Sequence, residues 1–322
     1  MNEFEILDRF IRPLTERHPS SLHLTDDACI LDKLNTKQFV ATTDSITEGV
    51  HFLPNTSPQN IAHKLIAINL SDIAAMAAAP KYYLLSAILP KTIDKEWLHG
   101  FSSTLSELNK QYEILIVGGD TVRHKGPLSL SITMIGEVDK YHAITRSGAK
   151  EGDDIYATGT LGDSAIGLLI KQEPDKLKLS KEDARFFINR YELPIPRVEI
   201  GKKLTKIANS MIDISDGFIQ DAAHIAKNSN VQLEINLKDI PVSQPLQKIK
   251  NQYDIIETVL TGGDDYELFF TAPEKYEGAI KEIASITSVP ITKIGKVSTG
   301  DKIIIRDHEG KELKFNKTGY IH

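Results

Sequence analysis

The chain has 322 residues, of which 41% are hydrophobic and 25% are charged, and its formal net charge is −6. This length suggests two domains of ordinary size, and the composition is that of a globular protein with a large core. The modest acidic charge and the lack of any Lys/Arg run are unlike a nucleic-acid-binding protein, so we expect no nucleic-acid partner.

Three features of the sequence bear on its cellular compartment. The one cysteine, Cys29, cannot form an internal disulfide, and we interpret it as a small buried hydrophobe. The N-terminal residues are acidic and lack the apolar segment of a secretory signal. The longest apolar stretch, residues 61–80, contains charged and amide side chains and is too polar to span a bilayer. We therefore expect a cytoplasmic protein with no membrane segment.

The first half of the chain alternates between strand-like and helix-like patterns. Periodicity and proline positions predict strands at 38–44, 82–89, 113–117 and 128–138, and helices at 58–78 and 95–112. The last of these strands alternates between apolar and polar residues, so we expect it to be half-buried. Strands and helices that alternate in this way predict an α+β or mixed α/β fold.

A change in composition marks the middle of the chain. Residues 146–153 are rich in glycine and polar side chains, as in a linker between domains. We therefore predict an N-terminal domain at 1–145 and a C-terminal α/β domain at 146–322. In the second domain, residues 154–159 are a predicted strand, and residues 211–217 are predicted to form a strand that ends in a carboxylate turn. Residues 258–273 are predicted to form a turn that feeds another strand.

Aspartates recur where predicted strands end, and the ends of strands are where α/β proteins bind ligands. These aspartates are Asp27, Asp44, Asp120, Asp213 and Asp216. Any one of them is more often a turn or capping residue. Five that converged would repel one another unless a cation lay among them, and Mg²⁺ combines carboxylates with waters and phosphate oxygens. The pattern therefore favours a magnesium site.

Asp72 is the most informative single residue. On a helical wheel it falls within about 60° of Ile61, Leu65 and Ile68, in the middle of an apolar stripe, and Asn69 flanks it. A carboxylate on a buried face must be paired, hydrogen-bonded or bound to a metal. A buried aspartate satisfied by backbone or by a lysine is the plainer interpretation, and we favour metal binding over it.

Glycine pairs precede two of the acidic turns. Gly118-Gly119 and Gly262-Gly263 would let the backbone approach a phosphate and direct amide groups at it. The GTLGDSAIG segment lacks the Lys-Ser/Thr that ends a Walker-type loop, and no protein-kinase motif set is present. An ATP enzyme with this sequence must therefore belong to another nucleotide-binding class.

Together these segments resemble the thiamine-monophosphate kinase family, of the superfamily that includes aminoimidazole ribonucleotide synthetase and selenophosphate synthetase. The resemblance runs almost end to end and includes TDDACIL, TTDSITEGVHF, NLSDIAAM, GGDTVR, ITRSGAKEGD, MIDISDGF and LTGGDDYEL. It implies transfer of a phosphoryl group from ATP to thiamine monophosphate. Because two anions must meet, several Mg²⁺ ions are needed to screen them. No Cys or His suggests a phosphoenzyme, so we expect direct in-line transfer.

The resemblance also implies roles for individual residues. The magnesium ligands that it implies are Asp27, Thr42, Thr43, Asp44, Asp72, Asp120, Asp213 and Asp216. The residues that it places at ATP are Gly119, Asp120, Arg146 and Ser215, and those at thiamine phosphate are His51, Asp264 and Tyr320. Asp44, Asp120 and Asp213 are the predicted catalytic residues.

The chain departs from the family's usual pattern at two places. Asp264 stands where the family usually has glutamate, and Lys317 stands where it often has an aromatic residue, which leaves Tyr320 as the aromatic candidate. The superfamily's architecture also implies a homodimer formed by the N-terminal sheets. We expect the strand at 128–138 to offer the exposed edge for that pairing.

Plainer interpretations and alternative functions accompany these assignments. His51 fits a core or capping histidine equally well, Arg146 fits a linker charge, and His63 and Lys64 are assigned to a helix surface. Selenophosphate synthetase would need a reactive cysteine near its N-terminus, whereas Cys29 lies in an apolar run. The hydrogenase-maturation relative needs a C-terminal cysteine, and this chain ends in GYIH. A non-catalytic metal-binding or nucleotide-sensing protein is a rival of another class, which a turnover assay would decide.

Overall fold

The computed structural model describes residues 26, 28–32, 36–253, 255–315 and 319. The predicted site residues Asp27 and Tyr320 lie outside the described residues. Two β-sheets with helices packed on them make up the described part of the chain, so the predicted mixed α/β fold is confirmed. The predicted domain boundary after residue 145 falls between the last strand of the first sheet and the first strand of the second.

The first half of the chain forms a five-stranded sheet. Its strands are β1 (Cys29–Asp32), β2 (Lys37–Thr47), β3 (Ala79–Pro90), β4 (Leu115–His124) and β5 (Ser129–Asp139). They lie in the order β1-β2-β5-β3-β4, and β3 and β4 are the parallel pair. Helix α1 (Pro58–Ala75) packs on β2 and β5, and helix α2 (Lys95–Tyr112) packs on α1.

The two faces of this sheet differ in burial because buried and more exposed residues alternate along its strands. Ile132 and Met134 of β5 are fully buried on the face that α1 covers. On the other face Tyr82, Leu84 and Ile88 of β3 are each about 40% exposed. We call this second face the open face. Successive strand side chains point to opposite sides, so one strand supplies both faces.

The structure corrects two element boundaries. The helix predicted at 58–78 ends at Ala75, and Pro80 lies inside β3 instead of stopping the helix from outside. The glycine pair before Asp120 was expected to follow a strand, but β4 runs through it to His124. Gly119 has φ of +151°, and a Cβ there would lie 1.9 Å from the carbonyl oxygen of Leu85. Glycine is therefore needed at 119 for contact between strands.

β4 is an edge strand of the sheet and the strand at 128–138 is not, which corrects the expectation for residues 128–138. The alternating strand β5 is half-buried as predicted, but it pairs with β2 on one side and β3 on the other. β4 pairs with β3 and is exposed along nearly its whole length, with Leu115 60% and Val117 56% exposed. Strand alternation reports which face is buried and does not report sheet order, which depends on distant partners.

The second half forms a six-stranded sheet in which one parallel pair joins four antiparallel pairs. Its strands are β6 (Asp154–Thr158), β7 (Ser210–Asp213), β8 (Gln232–Asn236), β9 (Leu268–Ala272), β10 (Ile291–Ser298) and β11 (Ile303–Arg306), in the order β11-β8-β10-β6-β9-β7. The helices are α3 (Asp163–Gln172), α4 (Lys181–Glu192), α5 (Val198–Leu204), α6 (Phe218–Ser229), α7 (Gln244–Lys248), α8 (Ile255–Thr261) and α9 (Glu277–Thr287).

Helix α1 joins the two halves. It begins at Pro58, where Ser57 accepts a hydrogen bond from the Asn60 amide, as in a standard N-cap. Thirteen of its eighteen residues are buried, because it packs on the first sheet and also on α5 and β7. One hydrophobic core therefore contains residues of both halves, and the cleft beside α1 has walls from both. Across the described ranges, no helix has the length and hydropathy to cross a bilayer.

Candidate active site

The candidate site is a cleft of about 520 Å³ between the two halves of the chain. Its walls include β2, the loop after β2, α1, the start of α3, the end of α4, the turn between β7 and α6, and the loop at 262–266. One group of its lining side chains is acidic: Asp44, Asp72, Asp213 and Asp216. A second group, which we call the aromatic wall, comprises His51, Tyr191, Asp264 and Tyr266.

Asp44 and Asp72 are held together by the contact between β2 and α1. The Thr42 hydroxyl donates to Asp72 Oδ2 at 2.6 Å, and the Asp44 amide donates to Asn69 Oδ1 at 3.1 Å. Asn69 is fully buried and lies within the same turn of α1 as Asp72. The polar residues at 69 and 72 therefore fix this part of the strand against the helix, on the helix face where the helical wheel placed Asp72.

Asp213 and Asp216 come from the second half of the chain. Ser71 of α1 donates to Asp213 Oδ2 at 2.6 Å, which joins the two halves at the floor of the cleft. The turn that carries Asp216 is held by Asp221, whose Oδ2 accepts from the amides of residues 215, 216 and 217 at 3.0–3.1 Å. Sequence reasoning missed Asp221, which occurs in the first turn of α6.

The acidic group fits Mg²⁺ by the chemistry of its donors. Carboxylate and hydroxyl oxygens are hard ligands, and four separate elements of the chain bring them to one cleft. No three His, Cys, Asp or Glu side chains among the described residues lie close enough together to hold a metal ion by themselves. Mg²⁺ usually takes one or two carboxylates and completes its shell with waters and substrate phosphates.

The threonines predicted as ligands differ in their partners. The Thr42 hydroxyl is committed to Asp72, so it orients a carboxylate. The Thr43 hydroxyl donates to the carbonyl oxygen of Ile132 at 2.9 Å, and Thr43 also lines the cleft. The Thr43 oxygen also accepts from the Thr133 hydroxyl at 3.2 Å. Each hydroxyl oxygen keeps at least one lone pair for a cation, because a hydroxyl that donates its one proton can still accept.

Gly119 and Asp120 are not among the residues that line this cleft. Asp120 of β4 pairs with Ser86 of β3. Ser86 pairs in turn with Ser131 of β5, and Ser131 pairs with Ser45 of β2. In-register neighbours share a face and successive residues alternate, so Asp120 lies on the open face, whereas Asp44 faces α1. Within one copy of the chain, Asp120 therefore lies on the other side of the first sheet from Asp44 and the cleft.

Arg146 and Ser215, the other residues predicted at ATP, both line the cleft. The Arg146 amide donates to Asp26 Oδ1, and its carbonyl oxygen accepts from the Ser229 hydroxyl at 3.2 Å. The linker that carries the guanidinium is therefore fixed to α6. Since the Ser215 amide donates to Asp221, the side-chain hydroxyl is the group that Ser215 offers to a ligand.

The aromatic wall is held by a chain of contacts. His51 Nδ1 accepts from the Thr47 amide at 3.1 Å, so its proton is assigned to Nε2. The Tyr191 hydroxyl donates to the His51 carbonyl oxygen at 3.4 Å, and the Tyr266 hydroxyl donates to Asp264 Oδ1 at 2.8 Å. Burial and the Asp264 carboxylate raise the pKa of Tyr266 well above its usual range, so this hydroxyl remains a donor.

Lys64 is buried, which corrects its assignment to the helix surface. The residue is 2% exposed, and its ammonium lies 2.9 Å from Asp264 Oδ2. The neighbouring His63 Nε2 lies 2.9 Å from the Pro194 carbonyl oxygen, and burial lowers the pKa of His63. Both side chains were misassigned because a face of α1 that looks polar in the sequence packs against the second half of the chain.

Gly263 lies in close contact with the turn after β7. A Cβ at Gly263 would lie 2.4 Å from the Ser215 carbonyl oxygen, and the Asp264 amide donates to that same oxygen at 2.8 Å. The loop at 262–266 is thus pressed onto the turn after β7. Gly319 is also described, and a Cβ there would lie 2.9 Å from the Asp216 carbonyl oxygen. The residue before Tyr320 therefore lies against the wall of the cleft.

Behind the loop lies a buried ionic group that sequence reasoning missed. Glu267 is fully buried, and its carboxylate accepts from Arg190, from Arg197 through two nitrogens, and from Thr158. Burial by itself raises the pKa of Glu267, but the two guanidinium groups outweigh it and hold the pKa below the usual range. The ion group therefore anchors the start of β9 to Arg190, near the end of α4, and to Arg197, directly before α5.

Models of the AIR synthase related family match most of this chain. The N-terminal domain of that family matches residues 25–138, and its C-terminal domain matches residues 150–308. Thiamine-monophosphate kinase of Escherichia coli K12 is 39% identical over 321 residues, which cover 99% of this chain and 98% of the relative. The Bacillus subtilis enzyme of the same name is 34% identical, with 100% of this chain and 99% of the relative covered.

Solved structures of thiamine-monophosphate kinases are also similar to this chain over nearly its full length. The thiamine-monophosphate kinase of Stenotrophomonas maltophilia K279a has a TM-score of 0.80 at 36% identity, with 97% of this chain and 98% of that chain covered. A structure of AaThiL complexed with AMPPCP and TMP has a TM-score of 0.87 at 29% identity, with 100% of this chain and 97% of that chain covered. The fold of the described residues is therefore that of solved thiamine-monophosphate kinase structures.

Proposed function

We propose, from the premise that this chain belongs to the thiamine-monophosphate kinase family, that its cleft transfers the γ-phosphate of ATP to thiamine monophosphate. The products are ADP and thiamine diphosphate. The observation that carries the proposal is the composition of the cleft, where four aspartates from both halves adjoin an aromatic wall. A phosphate ester that carries an aromatic ring system needs both kinds of surface.

The reaction needs no covalent intermediate with the protein. An oxygen of the acceptor phosphate attacks the γ-phosphorus, and the bond from that phosphorus to the β,γ-bridging oxygen breaks in line, so that ADP leaves. A phosphate monoester loses its second proton with a pKa near 6, so the nucleophile is already ionised at neutral pH and no general base is required. His51 Nδ1 is engaged by the Thr47 amide, which disfavours a phosphohistidine at that atom.

We propose that Mg²⁺ is the metal cofactor, held by Asp44, Asp72, Asp213 and Asp216 with Asp27 and the threonines of β2. Bound there, Mg²⁺ would neutralise phosphate charge and orient the reacting oxygens. Thr42 and Ser71 hold two of these carboxylates in place through their hydroxyl groups. Arg146 and Ser215 would contact the phosphates of ATP, and His51 with Asp264 and Tyr320 would contact the acceptor. Since ATP is the donor, we also propose a cytoplasmic location.

Thiamine monophosphate is expected to support ADP formation with a kcat/KM at least about 100-fold above that of free thiamine. Free thiamine offers an alcohol in place of an anionic oxygen, so it forfeits the metal contacts that position the nucleophile. The measurement is ADP release with each acceptor, and mass spectrometry of the diphosphate product.

The controls for that assay omit the acceptor, and separately omit Mg²⁺ in the presence of EDTA. ADP release should be lost without Mg²⁺ and return when Mg²⁺ is added in excess. Equal or faster turnover with free thiamine, or with formylglycinamidine ribonucleotide, would move the chain to another branch of the superfamily.

A homodimer built on the open face is expected, with a mass by light scattering near twice 35.8 kDa at micromolar concentration. The open face exposes Leu84 and Ile88, and the edge strand β4 offers unpaired backbone beside it. A second copy seated there would also cover Asp120, and we propose that Asp120 and Gly119 join their site through this assembly.

The variant Leu84→Lys should shift the dimer toward monomer, because it places a charge in the contact. Ile286→Lys is the matched control, since Ile286 is 62% exposed on α9 in the other half of the chain. An active wild-type enzyme that is monomeric at micromolar concentration would contradict the proposed assembly.

A further inference from the structure

Lys64 connects the two halves of the chain at the cleft without lining it. It is carried by α1 in the first half, and its ammonium contacts Asp264 and Tyr191 in the second half. The ammonium lies 2.9 Å from Asp264 Oδ2 and 4.0 Å from the centroid of the Tyr191 ring. A buried ammonium is costly unless an anion or an aromatic face compensates for its lost hydration, and this one has both.

The two contacts fix the orientation of the Asp264 carboxylate. Lys64 holds one oxygen and the Tyr266 hydroxyl holds the other, at 2.8 Å. The backbone at Asp264 has φ of +68°, a left-handed conformation that aspartate tolerates better than most residues. The side chain of Asp264 remains 29% exposed toward the cleft. What a ligand meets is therefore a carboxylate held in one direction by a buried cation.

The same ammonium also holds the aromatic part of the wall. Tyr191 presents one region of its ring to Lys64, and its hydroxyl reaches the carbonyl oxygen of His51. Lys64 thus contacts both Asp264 and Tyr191 directly, and a ligand in the cleft need not touch it. We infer that Lys64 is a positioning residue for the acceptor, and that binding of thiamine monophosphate depends on it far more than binding of ATP does.

This inference rests on the proposed function, since it needs the aromatic wall to hold the acceptor. If Lys64 only held the two halves of the chain together, its loss would affect the KM values for ATP and for thiamine monophosphate equally. Asn60 lies one turn before Lys64 on α1 and also joins the halves, because its Nδ2 donates to Glu192 Oε2 at 2.7 Å. Asn60 does not line the cleft. Asn60→Ala therefore removes a contact between the same two halves of the chain and leaves the aromatic wall intact.

The test measures kcat and both KM values for Lys64→Met and Asn60→Ala, with folding checked by circular dichroism. Lys64→Met should raise the KM for thiamine monophosphate roughly tenfold or more, with the KM for ATP within about twofold. Asn60→Ala should leave both KM values within about twofold. Lys64→Arg, which keeps the charge, should recover most of the loss. If Lys64→Met does not fold, Lys64→Gln replaces it and should show the same selective rise.

A double-mutant cycle with Asp264→Asn tests whether Lys64 acts through Asp264. The double variant should bind the acceptor no worse than Asp264→Asn alone. An unchanged or lowered KM for thiamine monophosphate in Lys64→Met, equal rises for both substrates, or additive effects in the cycle would each overturn the inference. A wild-type enzyme without acceptor-dependent ADP release would instead refute the proposed function itself.

Discussion

Asp72→Asn is expected to lower kcat by about two orders of magnitude or more, while the free energy of unfolding of the metal-free protein changes by less than about 1 kcal/mol. Asparagine has nearly the same shape and still offers an oxygen to the Thr42 hydroxyl, which donates to Asp72 Oδ2 at 2.6 Å. The substitution therefore keeps the packing between β2 and α1. It removes one negative charge from the acidic group, and with it an attraction for Mg²⁺.

The measurement is turnover at saturating ATP, thiamine monophosphate and Mg²⁺, together with urea unfolding in EDTA. Asp175→Asn is the control, since Asp175 is exposed and does not line the cleft. The control should change neither quantity. Near-normal turnover of Asp72→Asn at saturating Mg²⁺ would remove Asp72 from the proposed metal site.

Glu267→Gln is expected to destabilise the protein by about 3–5 kcal/mol, because it removes one partner of a buried ion group. The Glu267 side chain is fully buried, and the side chains of Arg190 and Arg197 are only 12% and 10% exposed. Without the carboxylate, two buried guanidinium groups lose their shared anion. A lower melting temperature, on the order of 10 °C, should accompany the change.

The contribution of Glu267 to the free energy of unfolding should also depend on pH. The pKa of Glu267 is lower in the folded protein than the ordinary value of 4.5. The carboxylate therefore contributes stability that is present above pH 4.5 and is lost as the pH falls through the lower folded pKa. The difference in unfolding free energy between wild type and Glu267→Gln should be constant near neutral pH and shrink in strong acid.

Glu199→Gln is the matched control for Glu267→Gln. Glu199 pairs with Lys202 at 2.9 Å on the surface, where its side chain is 67% exposed. Exposed pairs of this kind contribute little, so the control should change stability by less than about 1 kcal/mol. Equal stability of the two variants, measured by urea unfolding, would show that the buried ion group contributes no more than a surface pair.

The sequence by itself determined the elements whose signals are local. Helix α1 was predicted from its periodicity and from Pro58, and its start is fixed by Ser57 and Pro58 within one turn. The apolar stripe around Asp72 correctly predicted that this carboxylate faces the interior side of the helix, where it reaches the cleft. The mixed α/β fold also followed from local alternation, because helix and strand periods are set by neighbouring residues.

Only the tertiary structure decided the sheet order and the contacts between the halves. The edge strands of the first sheet are β1 and β4, whereas β5 is internal, and Asp120 lies on the face opposite Asp44. Lys64 and Asp264 are 200 residues apart in the chain, and Glu267 and Arg197 are 70 apart. A charge pattern within one helix cannot reveal such partners. Whether a charged side chain is solvated or buried depends on which distant segment packs over it, and the free energy of that packing belongs to both segments together.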